Sequence, residues 1–168
     1  MISLTRVIVP LLAILSIAFA NPIRRTGDPA INLPTAGTHI APGANFSFSY
    51  NSLGDYGRSS YAYHVWLLAD DAMGKAITPT TLFTNGYFFG RFDFANYPAV
   101  PYPKNPAPDH LTMPDFSQPE GGFGAGKAAT NYQFQLVVIE EWDDGAGAVG
   151  RNLAISNTPI IYNATSSS

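Results

Sequence analysis

The chain has 168 residues and a formal net charge of −3 at pH 7, from 9 Lys and Arg and 12 Asp and Glu. Scattered basic residues with a mild acidic excess give no electrostatic footprint for nucleic acid, so we expect no such partner. Because cysteine is absent, a hydrophobic core must stabilise the fold without disulfides, and aromatic residues, 13% of the chain, can supply it.

The first twenty residues have the pattern of a cleavable secretory signal peptide. Arg6 supplies the positive charge, residues 7–17 are mostly apolar, and Ala18-Phe19-Ala20 is a small-x-small cleavage pattern. We therefore expect residues 1–20 to be a signal peptide. The mature chain is then secreted and extracellular, with no membrane association after cleavage.

A dibasic pair follows the signal peptide closely. Arg24-Arg25 resembles a processing site of secretory endoproteases, which makes residues 21–25 a candidate short propeptide. A solvated, loose terminus is the alternative. Residues 26–163 have the length of one domain, and residues 164–168 form a Ser/Thr-rich tail.

Short β-type runs, separated by clusters of Gly, Pro, Asn and Asp, predict an all-β fold. The clearest run is residues 45–51, where Phe46, Phe48 and Tyr50 alternate with polar residues, as in a half-buried strand. The predicted strands lie at residues 31–34, 45–51, 61–68, one or two within 82–94, 111–116, 132–142 and 151–162. About seven strands with these turn signals predict an immunoglobulin-like antiparallel β-sandwich.

The residues within and between these runs add detail. Residues 61–68 are apolar on both faces, which predicts a central strand. Asn85-Gly86 predicts a hairpin turn. The prolines between residues 98 and 108 predict an extended crossover.

Two aromatic features resemble those of immunoglobulin-like domains. Trp66 lies in the middle of the third predicted strand. Tyr132-x-Phe134 stands at the start of the sixth predicted strand and resembles a tyrosine corner. Phe134 occupies the position where antibody domains carry a cysteine. The alternative is that each is simply a buried aromatic side chain. In either case we expect Trp66 and Phe134 to lie in the core.

The two ends of the domain resemble the Kre/Knh-type Ig-like domain of fungal cell-wall proteins. Leu33 to Thr38 with Pro42 to Phe48 is similar to that family's opening, and Tyr132 to Leu136 with Ala154 to Ile161 is similar to its close. The resemblance implies an Ig-like fold and association with the cell wall. Small secreted fungal effectors that act on a host have a similar outline, and these motifs do not separate the two.

No constellation of catalytic side chains is evident, so we expect neither enzyme activity nor a cofactor. The sequence has no G-x-S-x-G elbow and no cysteine nucleophile. His39, His64 and His110 lack metal-site spacing and are expected to be ordinary surface or partly buried residues. Glu140 and Glu141, which a divergent glycoside hydrolase would use, lie beside a Gly-rich turn without a rigid partner.

The acidic turn is also a candidate calcium site. In an Ig-like sandwich the second-to-third and sixth-to-seventh loops share one end, so Asp55 would approach Asp143 and Asp144. Carboxylate oxygens are ligands that Ca²⁺ prefers. The favoured alternative is a solvated acidic turn.

The segment Tyr87 to Phe94 contains a candidate aromatic platform. Strict alternation would turn Phe88, Phe92 and Phe94 inward and leave Tyr87 and Phe89 outside. The candidate ligand-binding residues are Tyr87, Phe89, Arg91, Tyr97 and Tyr102. Exposed aromatics beside polar groups suit sugar rings or a protein partner. The favoured alternative is a second core layer beneath the proline-rich crossover.

Two sequons for N-glycosylation are present. Asn45-Phe46-Ser47 and Asn163-Ala164-Thr165 predict glycans on Asn45 and Asn163. Asn45 lies on the polar face of its predicted strand, which leaves room for a glycan.

These observations predict a secreted, disulfide-free, non-enzymatic domain that is extracellular or associated with the cell wall. Its expected partner is a cell-wall polysaccharide or an extracellular protein. The alternatives are a secreted effector that acts on a host and a divergent hydrolase.

Overall fold

The computed structural model describes residues 28–55, 57–69, 84–96, 99–117, 131–146 and 149–162. These residues form nine β-strands and no helix. The strands are β1 (Ala30–Leu33), β2 (Thr38–Ile40), β3 (Asn45–Ser47), β4 (Ser49–Asn51), β5 (Ser59–Ala69), β6 (Gly86–Asp93), β7 (His110–Thr112), β8 (Tyr132–Asp143) and β9 (Asn152–Tyr162). The predicted all-β class is therefore confirmed.

The strands form one large sheet and two small ones. The large sheet has the order β2-β9-β8-β5-β6, and the small sheets pair β1 with β4 and β3 with β7. All pairs are antiparallel except β2 with β9, which run parallel. The predicted central position of residues 61–68 is confirmed, because β5 lies between β6 and β8.

The core lies between the large sheet and the two small ones. The large sheet contributes Ile40, Tyr63, Val65, Leu67, Phe92, Phe134, Leu136, Val138, Ile160 and Tyr162, and the opposite layer contributes Phe46, Phe48, Leu111, Met113 and Phe116. Burying one such side chain stabilises the fold by about 1.5–3 kcal/mol. The strict alternation of residues 45–51 places Phe46 and Phe48 inward, as predicted.

A bulge in β6 changes which side chains face the core. Val65 pairs with Gly90 and Trp66 with Phe88, so Phe89 is an extra residue without a partner in β5. Gly90 takes a φ of 151°, which favours glycine, and a Cβ there would lie 3.0 Å from the Phe92 ring. One extra residue reverses the alternation on its far side.

The sequence-based expectations for the facing of this segment are wrong for that reason. Tyr87 and Phe89 pack against the core, whereas Phe88 is 44% exposed on the opposite side. The favoured alternative, a second core layer, is correct for Tyr87 and Phe89. Phe92 is buried and Phe94 packs against the core, as predicted.

Three further expectations need correction. Trp66 is not a core residue, because it pairs with Phe88 on the side of the sheet away from the core. Gly86 pairs directly with Leu68 in β5, so Asn85-Gly86 is not the turn of a separate hairpin. Tyr132 is 44% exposed, and it is the Tyr162 hydroxyl that accepts a backbone hydrogen bond, from the Phe116 N–H at 3.2 Å.

Candidate functional site: the outer face of the large sheet

The side of the large sheet away from the core is here called the outer face. Antiparallel registers arrange its side chains in rows across β9, β8, β5 and β6, because alternate residues point away from the core. The four rows are Pro159–Gln135–Leu68–Gly86, Asn157–Val137–Trp66–Phe88, Ile155–Ile139–His64–Arg91 and Leu153–Glu141–Ala62–Asp93. The face thus combines apolar residues with one charged corner.

Large apolar side chains are exposed at both sides of the outer face. On β9, Leu153 is 66% and Ile155 is 62% exposed, and on β6 Phe88 is 44% exposed. The Phe88 ring stacks on Trp66 with centroids 4.5 Å apart and planes inclined by 36°. Offset stacking of this kind fixes the orientation of both rings. The face therefore carries exposed apolar side chains on β9 and on β6, whereas Val137 between them is only 2% exposed.

The charged corner is organised around Glu141. The His64 Nε2 atom lies 2.9 Å from one carboxylate oxygen, and the Arg91 Nε atom donates to the same oxygen at 3.1 Å. The guanidinium of Arg151 donates to the other oxygen and also lies over the Tyr61 ring, 4.0 Å from its centroid. Arg91 forms a further ion pair with Asp93 at 3.5 Å.

These contacts alter the protonation equilibria of the corner. Partial burial acts to raise the pKa of Glu141, but hydrogen bonds from Arg91, His64 and Arg151 outweigh it and lower the pKa to about 2. The hydrogen bond to Glu141 raises the pKa of Arg91 above its usual range. With Glu141 and Asp93 opposite Arg91 and Arg151, the corner is close to electroneutral.

Glu140 lies on the core side of the same strand. Its carboxylate is fully buried and accepts hydrogen bonds from the Tyr50 hydroxyl at 2.7 Å and from the Leu53 N–H at 2.9 Å. Burial and the neighbouring Glu140 raise the pKa of Tyr63 to about 12, and burial with the Glu140 hydrogen bond raises that of Tyr50 further. The two adjacent glutamates do not converge on one site, because they point to opposite faces.

The predicted ligand-binding residues are dispersed. Tyr87 and Phe89 are on the core side, Arg91 is on the outer face, and Tyr102 is 86% exposed on a loop. Tyr102 borders an open groove of about 460 Å³ with Ala95, Asn96 and Pro101. Tyr97 lies outside the described residues. The five side chains therefore do not form a single platform.

The predicted calcium ligands do not assemble either. Within the described part of the chain, no group of three or more His, Cys, Asp or Glu is placed to hold a metal ion. Asp143 accepts a hydrogen bond from the Gly145 N–H at 2.8 Å, and Asp144 accepts one from the Ala146 N–H at 3.1 Å. Asp55 forms an antiparallel bridge with Arg58. These carboxylates organise their own turns.

Of the two sequons, only Asn45 falls within the described residues. Asn45 is exposed on β3, and its side-chain oxygen accepts a hydrogen bond from Thr112 Oγ1 at 2.7 Å. A glycan there would extend from the layer opposite the large sheet. It would leave the outer face uncovered.

The sequence-based search missed the outer face, although β9 carries a signal for it. Leu153 and Ile155 share one side of β9, whereas Ser156 and Thr158 point to the interior, where both are buried. This is the reverse of the usual arrangement of apolar residues inside and polar residues outside. The inversion is confined to residues 153–158, because Ile160 and Tyr162 further along β9 are core residues.

Comparison of the chain with protein-family models, curated proteins and solved structures found no match. None of the described residues belongs to a helix with the length and hydrophobicity needed to cross a bilayer.

Proposed function

We propose that this chain is a secreted, non-enzymatic binding domain with an Ig-like β-sandwich fold, and that it binds an extracellular protein partner through the outer face. The fold assignment is supported by two layers around one core and by the mainly antiparallel pairing. The parallel pairing of β2 with β9 brings an early strand beside the last one.

One observation carries the binding proposal: the exposed apolar side chains of the outer face. Phe88, Leu153 and Ile155 are 44%, 66% and 62% exposed and belong to the same side of one sheet. Exposed apolar patches rimmed by polar residues mark interaction sites on soluble proteins. We therefore assign the outer face, rather than the groove near Tyr102, as the binding surface.

The chemistry of the face favours a protein over a glycan. Branched aliphatic side chains such as Leu153 and Ile155 offer no stacking platform for a sugar ring. The polar groups of the face already bond to one another, as Glu141 does to Arg91 and as the Asn157 Nδ2 does to Gln135 Oε1 at 3.0 Å. A partner can cover such internally satisfied groups without leaving them unpaired.

The proposal is tested by screening the purified secreted protein against arrays of extracellular proteins and glycans and against cell-wall polysaccharide. We expect protein binding that Ile155→Asp abolishes and that Leu33→Asp leaves intact. Leu33 is a suitable control because it is 42% exposed on β1, in the other layer. Glycan binding, or binding that is insensitive to Ile155→Asp, would contradict the assignment.

The proposed absence of enzyme activity is tested separately. We expect no release of reducing sugar from wall polysaccharide by the wild-type protein. Sugar release that Glu141→Gln abolishes, in a variant with an unchanged melting curve, would show that the chain is a hydrolase.

A further inference from the structure

The proline-rich crossover between β6 and β7 lies along an edge of the large sheet. We infer that residues 101–108, here called the strap, close the edge of β6 against strand addition by other chains, and that the Asp93 carboxylate fastens the strap there. This inference goes beyond the proposed function, because it concerns the edge of the sheet and not its outer face.

The edge of the sheet at β6 has backbone groups that point away from it. Among the described strands, β6 is the last in the order β2-β9-β8-β5-β6. Successive amides of a strand point to opposite sides, and the Phe94 N–H donates to the Tyr61 carbonyl in β5 at 3.4 Å. The Asp93 N–H therefore points away from β5. Groups of this kind, if left unpaired, are a template for a strand of another chain.

The composition of β6 makes an open edge hazardous. Four of its eight residues are aromatic, namely Tyr87, Phe88, Phe89 and Phe92. Aromatic side chains favour β-structure, and they stack readily when strands of many chains pair. A long open edge at β6 would therefore be a site of self-association, so its protection has a clear benefit.

The strap occupies the outward-pointing groups in the second half of β6. The Asp93 N–H donates to the Asn105 carbonyl at 2.7 Å, and Asn105 Nδ2 donates to the Arg91 carbonyl. Asp93 also forms a parallel bridge with Pro106. In addition, Asp93 Oδ2 accepts hydrogen bonds from the N–H groups of Lys104 at 2.9 Å and Asn105 at 3.0 Å. Asp93 thus holds the strap with both its backbone and its side chain.

The strap does not become a new edge in its turn. Four of its eight positions, 101, 103, 106 and 108, are proline, which has no N–H to donate to a further strand. Immediately beyond it, the Asp109 carbonyl accepts a hydrogen bond from the Phe48 N–H at 2.8 Å, which ties the chain to the opposite layer. Strand pairing therefore ends at the strap.

The first half of β6 is protected in another way. The Asn85 carbonyl accepts a hydrogen bond from the Ala69 N–H at 2.9 Å, so by the same alternation Gly86 and Phe88 point away from β5. The extra residue Phe89 then interrupts the ladder. Residues 86–88 are at the lower limit of strand length, and release of the strap would add residues 91–93 to them.

The test compares Asp93→Ala with two controls under conditions where melting curves show that all the proteins are folded. Asp109→Ala removes the same charge just beyond the strap and keeps the backbone carbonyl that Phe48 uses. Glu140→Gln lowers stability without touching the strap. Hydrogen exchange of the amide at position 93, corrected for its intrinsic rate, reports release of the strap. Thioflavin-T fluorescence of about 100 μM protein reports the association of strands.

We expect Asp93→Ala to speed exchange at position 93 about tenfold or more, and both controls to leave it within about twofold of wild type. We also expect Asp93→Ala to assemble several times faster than either control. If Asp93→Ala does not fold, Asn105→Ala, which removes the bond to the Arg91 carbonyl, replaces it.

Two results would overturn the inference. Unchanged exchange at position 93 would mean that the side chain does not fasten the strap. Faster exchange without assembly beyond that of Glu140→Gln would mean that the strap does not close the edge.

Discussion

Glu140 and Glu141 show how far the environment of a residue depends on the face to which its side chain points. Adjacent side chains of a strand point to opposite sides of the sheet. Glu140 therefore lies fully buried against Tyr50, and Glu141 lies among Arg91, Arg151 and His64 on the outer face. The sequence shows only two adjacent acids, and their separate roles follow from the register of β8.

Glu140 is expected to be a structural residue. Glu140→Gln replaces a carboxylate oxygen by an NH₂ group, so one of the donors, the Tyr50 hydroxyl or the Leu53 N–H, loses its acceptor inside the core. We expect the free energy of unfolding to fall by about 1–3 kcal/mol, as for other buried donors left unpaired. Urea denaturation measures this.

A matched pair of Tyr→Phe variants provides the control for that measurement. Tyr50→Phe removes the hydrogen bond to Glu140 and should cost about 1 kcal/mol. Tyr102→Phe, at a position that is 86% exposed, should change stability by less than about 0.5 kcal/mol. Equal denaturation midpoints for Glu140→Gln and wild type would show that the buried network does not stabilise the fold.

Glu141 is expected to make stability depend on acid pH. Its pKa falls from 4.5 to about 2 in the folded protein, so the unfolded chain binds a proton at higher pH than the folded chain does. The stabilisation is complete above about pH 4.5 and is lost as the pH falls towards 2. Because Arg91 and Arg151 are 42% and 47% exposed, solvent screening reduces it to about 1 kcal/mol.

Denaturation curves of wild type and Glu141→Gln check this pH dependence. They are recorded from about pH 5.5 to about pH 2.5, the range over which linkage predicts the loss of stabilisation. The stability difference between the two proteins should be largest at the upper end and shrink on acidification. A difference that stays constant across the range would mean that the pKa of Glu141 is not lowered by folding.

At the scale of elements, the sequence predicts strands better than it predicts their faces. Residues 45–51 alternate regularly, and the structure places Phe46 and Phe48 in the core as predicted, as it does Phe134 of residues 132–142. In β6 the extra residue Phe89 reverses the alternation, and no pattern in the sequence reveals which residue is the extra one. β5 is apolar on both faces, so its sequence alone does not say which face Trp66 occupies.

The same reasoning explains why the candidate site was found only in part. The aromatic neighbours of Arg91 make it a candidate, but its partner Glu141 lies on β8, and Arg151, which pairs with the same carboxylate, precedes β9. The sequence does not specify the strand pairing that brings these residues together. Phe88 was assigned to the core because the bulge was unknown. Leu153 and Ile155 carried a usable signal, the inverted pattern of β9.

The opposite faces of the large sheet give a direct test of the assigned bulge. Phe134 lies in the core and is 7% exposed, so Phe134→Ala should lower the free energy of unfolding by about 3–5 kcal/mol. Phe88 is 44% exposed, so Phe88→Ala removes mainly the stacking on Trp66 and should lower the free energy of unfolding by about 0.5–1.5 kcal/mol. Chemical denaturation of both variants compares them, and an equal or larger loss for Phe88→Ala would place that ring in the core and contradict the register.

At the scale of the whole molecule, the two layers separate different surfaces. The large sheet carries the apolar outer face and the charged corner, whereas the opposite layer carries the predicted glycan site on Asn45. Without cysteine, the core between the layers must hold them together. Such a division agrees with the proposal of an extracellular domain that binds through one side.

The proposed secretion predicts a defined mature N-terminus. We expect the secreted form to start after Ala20, or after Arg25 if the dibasic site is cleaved. Either cut precedes Asp28, the first described residue, and so leaves β1 intact. N-terminal sequencing of protein from the medium checks this, and an intact Met1 would rule out the signal peptide.

The central claim is that the outer face is covered when the protein binds its partner, and the lack of cysteine allows a direct measurement. A single thiol introduced as Ile155→Cys reports on the outer face, and Leu33→Cys reports on the other layer. We predict that a saturating concentration of the protein partner found in the array screen slows maleimide modification at position 155 severalfold, since the bound partner buries it. The rate at position 33 should stay unchanged. Rates at both positions that the bound partner leaves unchanged would contradict the account.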